Sequence, residues 1–277
     1  MTTPPTTGEI PLEGLAERLA AEDLPLGVFC DEELAAVGQP VHPEGPMGWF
    51  AELDEEGQLI ATQAGLRGLI SRGMLRPGEG AGELLAHPAL ELLRTGRTHA
   101  WSMTQVYRSL RHQATERSLI HLVSPGVMLE EIIDLDGLHA FTMRSPQRAA
   151  QALATRCDPE QFAGSGQGDA VGGEHPDPAV LKRIDALFAT AVWSTTLTTV
   201  QRTADGSEPI LAQLSVLAGE DGLWGVTTRQ ANEEVSPVAL AAPLLAQELP
   251  VVILALLDPT HSPPREDSGP DAGEPTS

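Results

Sequence analysis

The chain carries an internal repeat, which constrains its fold more than any other sequence feature. The motif Trp-Ser-x-Thr occurs at 101–104 and again at 193–196. Downstream of these copies, 136–144 and 221–229 share Asp, Gly, Leu, Thr and Arg in the same register. Two motifs that recur in the same order predict a duplicated supersecondary unit within one fold. The repeat predicts architecture and carries no chemistry of its own.

Hydrophobic periodicity predicts a mixture of helices and antiparallel strands. Helical spacing favours helices over 12–21, 58–74, 83–95, 146–153 and 177–190, and a mostly helical segment over 237–257. In 58–74 the predicted packing face holds Leu59, Leu66, Leu69 and Ile70. Alternation favours strands over 101–109, 118–124, 127–134, 138–144, 193–203, 210–218 and 223–229. Asp-Gly pairs at 136–137, 205–206 and 221–222 indicate tight hairpin turns.

These elements predict an α+β fold of two quasi-symmetric halves, each an antiparallel sheet flanked by helices. We place the first half at 9–163 and the second at 177–257, joined by a Gly-rich linker at 164–176. The N-terminus at 1–8 and the acidic, Pro-rich tail at 258–277 are expected to be disordered, because they offer little to bury.

The composition narrows the classes of partner. A formal net charge of −22 opposes attraction to nucleic acid and to anionic lipid. Lys182 is the only lysine, and an Arg-rich, Lys-poor chain is typical of a GC-rich coding genome, such as an actinobacterial one. The two cysteines cannot build a disulfide framework. The longest apolar run, 251–257, is too short to cross a bilayer. We therefore expect a cytoplasmic protein with no membrane contact.

The search for catalytic groups predicts that the chain is not an enzyme. None of the eight histidines is paired at metal-binding spacing, and the Gly-rich 164–168 lacks the residues of a phosphate loop. Glu130 and Glu131 are adjacent in a predicted strand, so they face opposite sides and cannot share one site. We expect them to form an exposed acidic edge. No catalytic residue, cofactor or metal is assigned, and an enzyme that acts on a small molecule is the weakest of three functional hypotheses.

A locally basic segment interrupts the acidic chain. The predicted loop 110–116 joins two strands, and the candidate partner-binding residues in and beside it are Arg108, Leu110, Arg111, His112 and Arg117. An exposed apolar residue beside arginines can dock an acidic protein partner. The alternative is a solvated turn whose arginines offset neighbouring acids.

The segment 58–76 supports a different hypothesis, a winged-helix-like DNA-binding transcriptional regulator. A helix there would carry Arg67, Arg72 and Arg76 towards phosphates. The acids at 52–56 and the net charge oppose this interpretation. Nucleic acid is therefore an unlikely partner.

The order of elements resembles a known family. The resemblance is carried by 64–75, 87–93, the strand pair leading to 136–138, and 146–153, and it extends loosely over 10–257. In these segments the chain resembles the EspG-like secretion-associated proteins of type VII (ESX) systems. The resemblance implies two quasi-symmetric α+β halves, a cytosolic chaperone without catalytic residues or cofactor, and a protein partner such as the secreted helical PE–PPE heterodimer.

Overall fold

A computed structural model describes residues 14–39, 49–80, 82–134, 137–162, 170–173, 178–201, 210–229 and 238–258. The predicted disordered N-terminus, the predicted turn at 205–206 and all of the predicted tail except Asp258 lie outside the described residues. Asp258 itself is buried at the C-terminal end of the last helix.

The described residues form eight helices and twelve strands. The helices are α1 Leu15–Ala21, α2 Asp31–Ala36, α3 Trp49–Glu52, α4 Glu55–Ser71, α5 Pro88–His99, α6 Pro146–Cys157, α7 Pro178–Thr190 and α8 Leu249–Leu257. The strands are β1 Leu24–Cys30, β2 Leu75–Pro77, β3 Leu84–Ala86, β4 Ser102–Leu110, β5 Gln113–Ser124, β6 Val127–Ile133, β7 Leu138–Arg144, β8 Val171–Gly173, β9 Trp193–Gln201, β10 Ile210–Gly219, β11 Gly222–Arg229 and β12 Val238–Pro243.

The two halves share one antiparallel sheet of ten strands in the order β1-β7-β6-β5-β4-β9-β10-β11-β12-β8. At its centre β4 pairs with β9 from Ser102 opposite Gln201 to Leu110 opposite Trp193. On each side of this pair the chain runs helix, four strands, helix, which gives the sheet a pseudo-two-fold arrangement. The α+β prediction is confirmed, with one continuous sheet where two were expected. A separate hairpin, β2–β3, follows α4.

The sequence repeat matches this pseudo-symmetry only in part. Trp101 directly precedes β4 and Trp193 opens β9, so these two residues begin corresponding strands. The prediction that the two Asp-Gly-Leu copies form equivalent hairpins is wrong. The copy at 136–138 leads into β7, the fourth strand of its half, whereas the copy at 221–223 leads into β11, the third strand of its half. Gly137 and Gly222 both adopt positive φ where the next strand begins, a conformation that favours glycine in each copy.

Helices cover the sheet differently on its two faces. On one face α6 and α8 pack over a continuous apolar cluster that spans both halves and includes Val106, Ile120, Leu197 and Leu214. On the other face α5 and the N-terminal helices cover the first half, and α7 covers the second half. The Ser145 hydroxyl accepts a hydrogen bond from the Arg148 backbone N–H, so α6 begins at the predicted cap.

Three local predictions are corrected. Strand β1 was not predicted, because Pro25 and a bulge at Gly27 interrupt its alternation. Strand β8 lies within the predicted linker and pairs with β12, which forms the start of a segment expected to be helical. The predicted packing face of α4 is correct only in part. Leu69 is buried and Leu66 packs against the same core, but Leu59 and Ile70 are exposed. The contact of α4 with α2 is made at Gly65, where a Cβ would overlap the Glu32 carbonyl.

Candidate functional site

The predicted docking loop is a tight two-residue turn. Strand β4 ends at Leu110 and β5 begins at Gln113, so only Arg111 and His112 connect them. Both connecting residues adopt positive φ, 46° and 68°. Two positive φ values in succession match the right-handed twist of a hairpin, although such a conformation is costly for arginine. The Arg111 backbone N–H donates to the Val192 carbonyl at 2.8 Å, which anchors the turn to the start of β9.

The residues around this turn point in different directions. Arg111 and His112 are exposed, and Leu110 is half-buried opposite Trp193. The Arg108 guanidinium lies 3.9 Å from the centre of the Trp193 ring, and its Nη1 is 3.8 Å from Glu116 Oε2. Arg108 is therefore stacked and paired on the side of the sheet covered by α6 and α8, beside the exposed turn rather than in it.

The predicted basic patch does not include Arg117. Its side chain was expected at the interface, outside the core, but the residue is only 4% exposed. In the β4–β5 register Glu116 opposes Arg108 and Arg117 opposes Tyr107, so Arg108 and Arg117 lie on opposite faces of the sheet. The Arg117 guanidinium lies over the Tyr107 ring at 5.3 Å, and its Nε and Nη1 find no hydrogen-bond partner among the described residues. Whether the turn binds a partner stays a prediction.

Sequence reasoning missed a buried charged cluster centred on Glu131, which is fully buried in β6. His139 Nδ1 lies 2.7 Å from Glu131 Oε1, and His139 Nε2 lies 2.8 Å from Asp31 Oδ1 at the start of α2. Arg97 Nε from α5 and His121 Nε2 from β5 approach Glu131 Oε2 at 3.2 Å and 3.4 Å. The cluster therefore ties α2 and α5 to three adjacent strands.

The charges in this cluster hold one another in fixed ionisation states. Burial alone would raise the pKa of Glu131, but the Arg97 guanidinium, together with hydrogen bonds from His121 and His139, keeps it well below its usual range. Burial alone would lower the pKa of His139, yet its hydrogen bonds to Asp31 and Glu131 raise it to about 9. At neutral pH the cluster holds a carboxylate beside an imidazolium, and neither is suited to proton transfer.

Glu130 faces the opposite side of the same strand, as predicted, but it is also buried, with 1% exposure. Arg156 from α6 pairs with its Oε1, and Arg144 Nε lies 3.2 Å from its Oε2. The prediction of an exposed acidic edge is therefore wrong. The reason is that β6 lies inside the sheet between β5 and β7, where each carboxylate meets an arginine supplied by a helix. The predicted turns before and after β6 could have indicated that it pairs with a strand on each side and is therefore not at the edge of the sheet.

Neither cysteine thiol is activated. Burial raises the pKa of the Cys30 thiol to about 11 and that of the Cys157 thiol to about 12, so both remain protonated at neutral pH. Among the described residues, no group of three or more His, Cys, Asp and Glu side chains is arranged to hold a metal ion. The geometry thus supports buried charges with a structural role.

The segment predicted to contact DNA does fold as a helix followed by a hairpin, α4 and β2–β3. However, Arg72 Nη1 lies 2.9 Å and 2.7 Å from the two carboxylate oxygens of Glu33, and its Nη2 donates to the Val28 carbonyl of β1. Arg72 is thus committed to joining α4 to α2 and to β1. Arg67 and Arg76 are exposed.

None of the helices in the described ranges is long and apolar enough to span a membrane. A scan against protein-family models and a search of curated proteins both give no match. A search of solved structures finds similarity to the type VII secretion system chaperone EspG5 of Mycobacterium tuberculosis, solved in complex with a PE25–PPE41 dimer. The similarity has a TM-score of 0.57 at 10% sequence identity and covers 86% of this chain and 96% of that chain. The resemblance inferred from the sequence is confirmed at the level of the fold.

Proposed function

We propose that this chain is a non-catalytic chaperone that binds another protein, and that its partner is a secreted helical heterodimer of the PE–PPE type. One observation carries the proposal: the likeness of fold to the chaperone EspG5 spans nearly the whole of both chains. The buried charged clusters agree with it, because their ionisation states suit a fixed scaffold better than acid–base chemistry.

The turn at Arg111 and His112 is the contact site we favour within this proposal. Both side chains project from a hairpin anchored to β9, and Leu110 adds a half-buried apolar surface next to them. An interface needs an apolar contact flanked by orienting charges, and a pre-organised turn loses little conformational entropy on binding. Leu110, Arg111 and His112 would contact the partner, while Arg108 would hold the turn through Trp193.

Co-expression with a PE–PPE-type heterodimer from the same genome tests the proposal. We expect the chain to co-purify with the heterodimer, and Leu110→Asp with Arg111→Asp to abolish co-purification without lowering the melting temperature. The matched control is Leu181→Asp with Lys182→Asp, an exposed leucine–cation pair on α7. The turn is not the contact site if the variant still binds, and the function itself fails if the unmodified chain captures no heterodimer.

Winged-helix DNA binding has less support. Arg72, one of its three expected phosphate contacts, pairs with Glu33, and the net charge of −22 repels duplex DNA. Gel-shift measurements at physiological salt should show no binding. Sequence-specific binding that weakens in Arg67→Ala would favour the regulator over the chaperone.

A further inference from the structure

Helix α4 buries Leu69 and packs Gly65 against α2, but it turns three of its large apolar residues outward. Gly65 approaches α2 so closely that a side chain there would overlap the Glu32 backbone. On the solvent side Leu59 is 58% exposed, Ile60 61% and Ile70 41%. A helix at a protein surface normally buries its apolar stripe and exposes polar residues. Helix α4 has such a buried face at Leu69, and it carries a second set of apolar residues that stays exposed.

The exposed apolar residues follow the spacing of a helix-packing seam. Leu59, Gln63, Leu66 and Ile70 are separated by four, three and four residues, so they lie along one side of α4. Leu66 is half-buried because it also packs against the core of the first half, and Ile60 flanks this line. At 1.5 Å per residue the line is about 16 Å long, which is three turns of helix. Leu59, Ile60, Leu66 and Ile70 are hereafter called the α4 stripe.

Charge is distributed unevenly along the α4 stripe. Glu52, Glu55 and Glu56 are exposed at its N-terminal end, and no ion pair engages them within the described part of the chain. Asp54, also exposed, caps the helix by accepting from the Gly57 N–H at 2.8 Å. Arg67 lies towards the other end. Acids near a helix N-terminus stabilise the helix dipole, but three unpaired carboxylates beside an apolar stripe also complement a basic segment.

We propose that the α4 stripe is a second docking surface, which binds one amphipathic helix of another protein whose basic residues lie against Glu52, Glu55 and Glu56. A single helix fits because the stripe is one seam wide. A cationic partner fits because the chain carries a net charge of −22, which would repel a second copy of itself. The surface shares no element with the β4–β5 turn, so it does not depend on the function proposed above. A seam of this length belongs to the small, weak class of interfaces.

The test uses the full chain and a defined probe. The probe is a fluorescently labelled 21-residue helical peptide with Leu at alternating four- and three-residue spacing and Lys on both flanks, followed by fluorescence anisotropy. We expect Leu59→Glu with Ile70→Glu to weaken binding at least tenfold. The matched control is Leu181→Glu with Val251→Glu, two exposed apolar residues on α7 and α8, and it should change binding less than twofold.

Charge is tested separately from apolar contact. Glu52→Gln, Glu55→Gln and Glu56→Gln together should weaken binding severalfold and reduce its salt dependence, and a Glu-flanked peptide should bind at least tenfold more weakly. Asp54 is left unchanged because it caps α4. Equal losses in the stripe variant and in its control would overturn the proposal by showing non-specific attraction. Light scattering could also overturn it. If the chain is a dimer that Leu59→Glu dissociates, the α4 stripe binds a second copy of this chain and not a helix of another protein.

Discussion

The two halves of the sheet share one order of elements but are filled with different side chains. The first half buries charge in its strands, at Arg117, His121, Glu130, Glu131 and His139. The corresponding strands of the second half bury mainly aliphatic residues, Trp224 and the hydroxyls of Thr195, Thr199 and Ser215. Within its described residues, the second half has no counterpart of the unit formed by α2, α4 and β2–β3. A duplicated backbone plan thus tolerates two very different interiors.

The difference relates to what each half must hold in place. In the first half Asp31 begins α2 and reaches His139, so the charged cluster fixes the extra N-terminal unit relative to the sheet. Buried ion pairs often add little net stability, but losing one partner is costly, because the other charge stays buried and unpaired. We therefore expect the first half to be more sensitive than the second to single substitutions and to pH. The predictions below test this contrast.

The largest effect is expected from Glu131→Gln. The substitution removes the carboxylate that the buried Arg97 and the protonated His139 both contact, so we expect the free energy of unfolding to fall by about 3–5 kcal/mol. Urea denaturation measures it. The comparison is Val226→Ala in β11, which removes buried aliphatic surface and should cost roughly 1–3 kcal/mol. Equal losses would show that the charged cluster is no more critical than ordinary apolar packing.

The next effect is a dependence of stability on pH between about 6.5 and 9. His139 has a pKa of about 9 in the folded chain against 6.5 when unfolded, so the folded state retains a proton that the unfolded state releases. The stabilisation is complete below pH 6.5 and is lost as pH rises through 9, in total about 3 kcal/mol. Denaturation at several pH values should show this decline, and His139→Gln should flatten it. An unchanged slope in that variant would assign the decline to another group.

A smaller loss is expected from Gly65→Ala. Alanine normally favours a helix, but here its Cβ would overlap the Glu32 carbonyl and push α4 away from α2. We expect a loss of about 1–3 kcal/mol in thermal or urea unfolding. Ala64→Gly, at an exposed position of the same helix, serves as the reverse control and should cost about 1 kcal/mol. A stabilised Gly65→Ala variant would contradict the close packing of α2 and α4.

The smallest effect has the opposite sign. Arg117 is buried, and two of its nitrogens have no hydrogen-bond partner in the described part of the chain, so Arg117→Met exchanges a poorly satisfied charge for an apolar side chain of similar length. We expect a stabilisation of about 1 kcal/mol, reduced by loss of the contact with Tyr107. Arg108→Met, which removes a stacked and paired arginine, should instead destabilise the fold. A destabilised Arg117→Met would indicate that the guanidinium is required where it lies.

The sequence predicted the fold where local chemistry decides it. Ser145 and Pro146 begin a helix, and glycines at 137 and 222 adopt positive φ at hairpin turns, as their residue types favour. Prediction failed where distant elements decide the outcome. The local sequence around Glu131 indicates a surface acid, because the buried ion pair with Arg97 of α5 forms only in the folded chain. Strand β1 has little strand signal of its own and is fixed by pairing with β7.

The candidate site shows the same limit. The hairpin containing Arg111 was expected from its flanking strands, and its exposed side chains agree with the predicted turn. Spacing along the chain placed Arg108 and Arg117 beside Arg111, but strand alternation sends them to opposite faces of the sheet. The packing face of α4 was predicted only in part: Leu66 and Leu69 pack in the core as expected, but the close contact with α2 is made by Gly65, which carries no hydrophobic signal.

The central pairing of β4 with β9 also sets the timing of folding during synthesis. Strand β4 leaves the ribosome about ninety residues before its partner begins, which at typical rates of synthesis is roughly 5–20 s. Until then its edge has backbone groups without their final partners, and α8, which covers both strands, is made later still. A nascent first half with an unpaired, aggregation-prone strand edge would need protection by the cell's folding machinery. The protein would thus depend on other folding factors before it could carry out the chaperone function proposed for it.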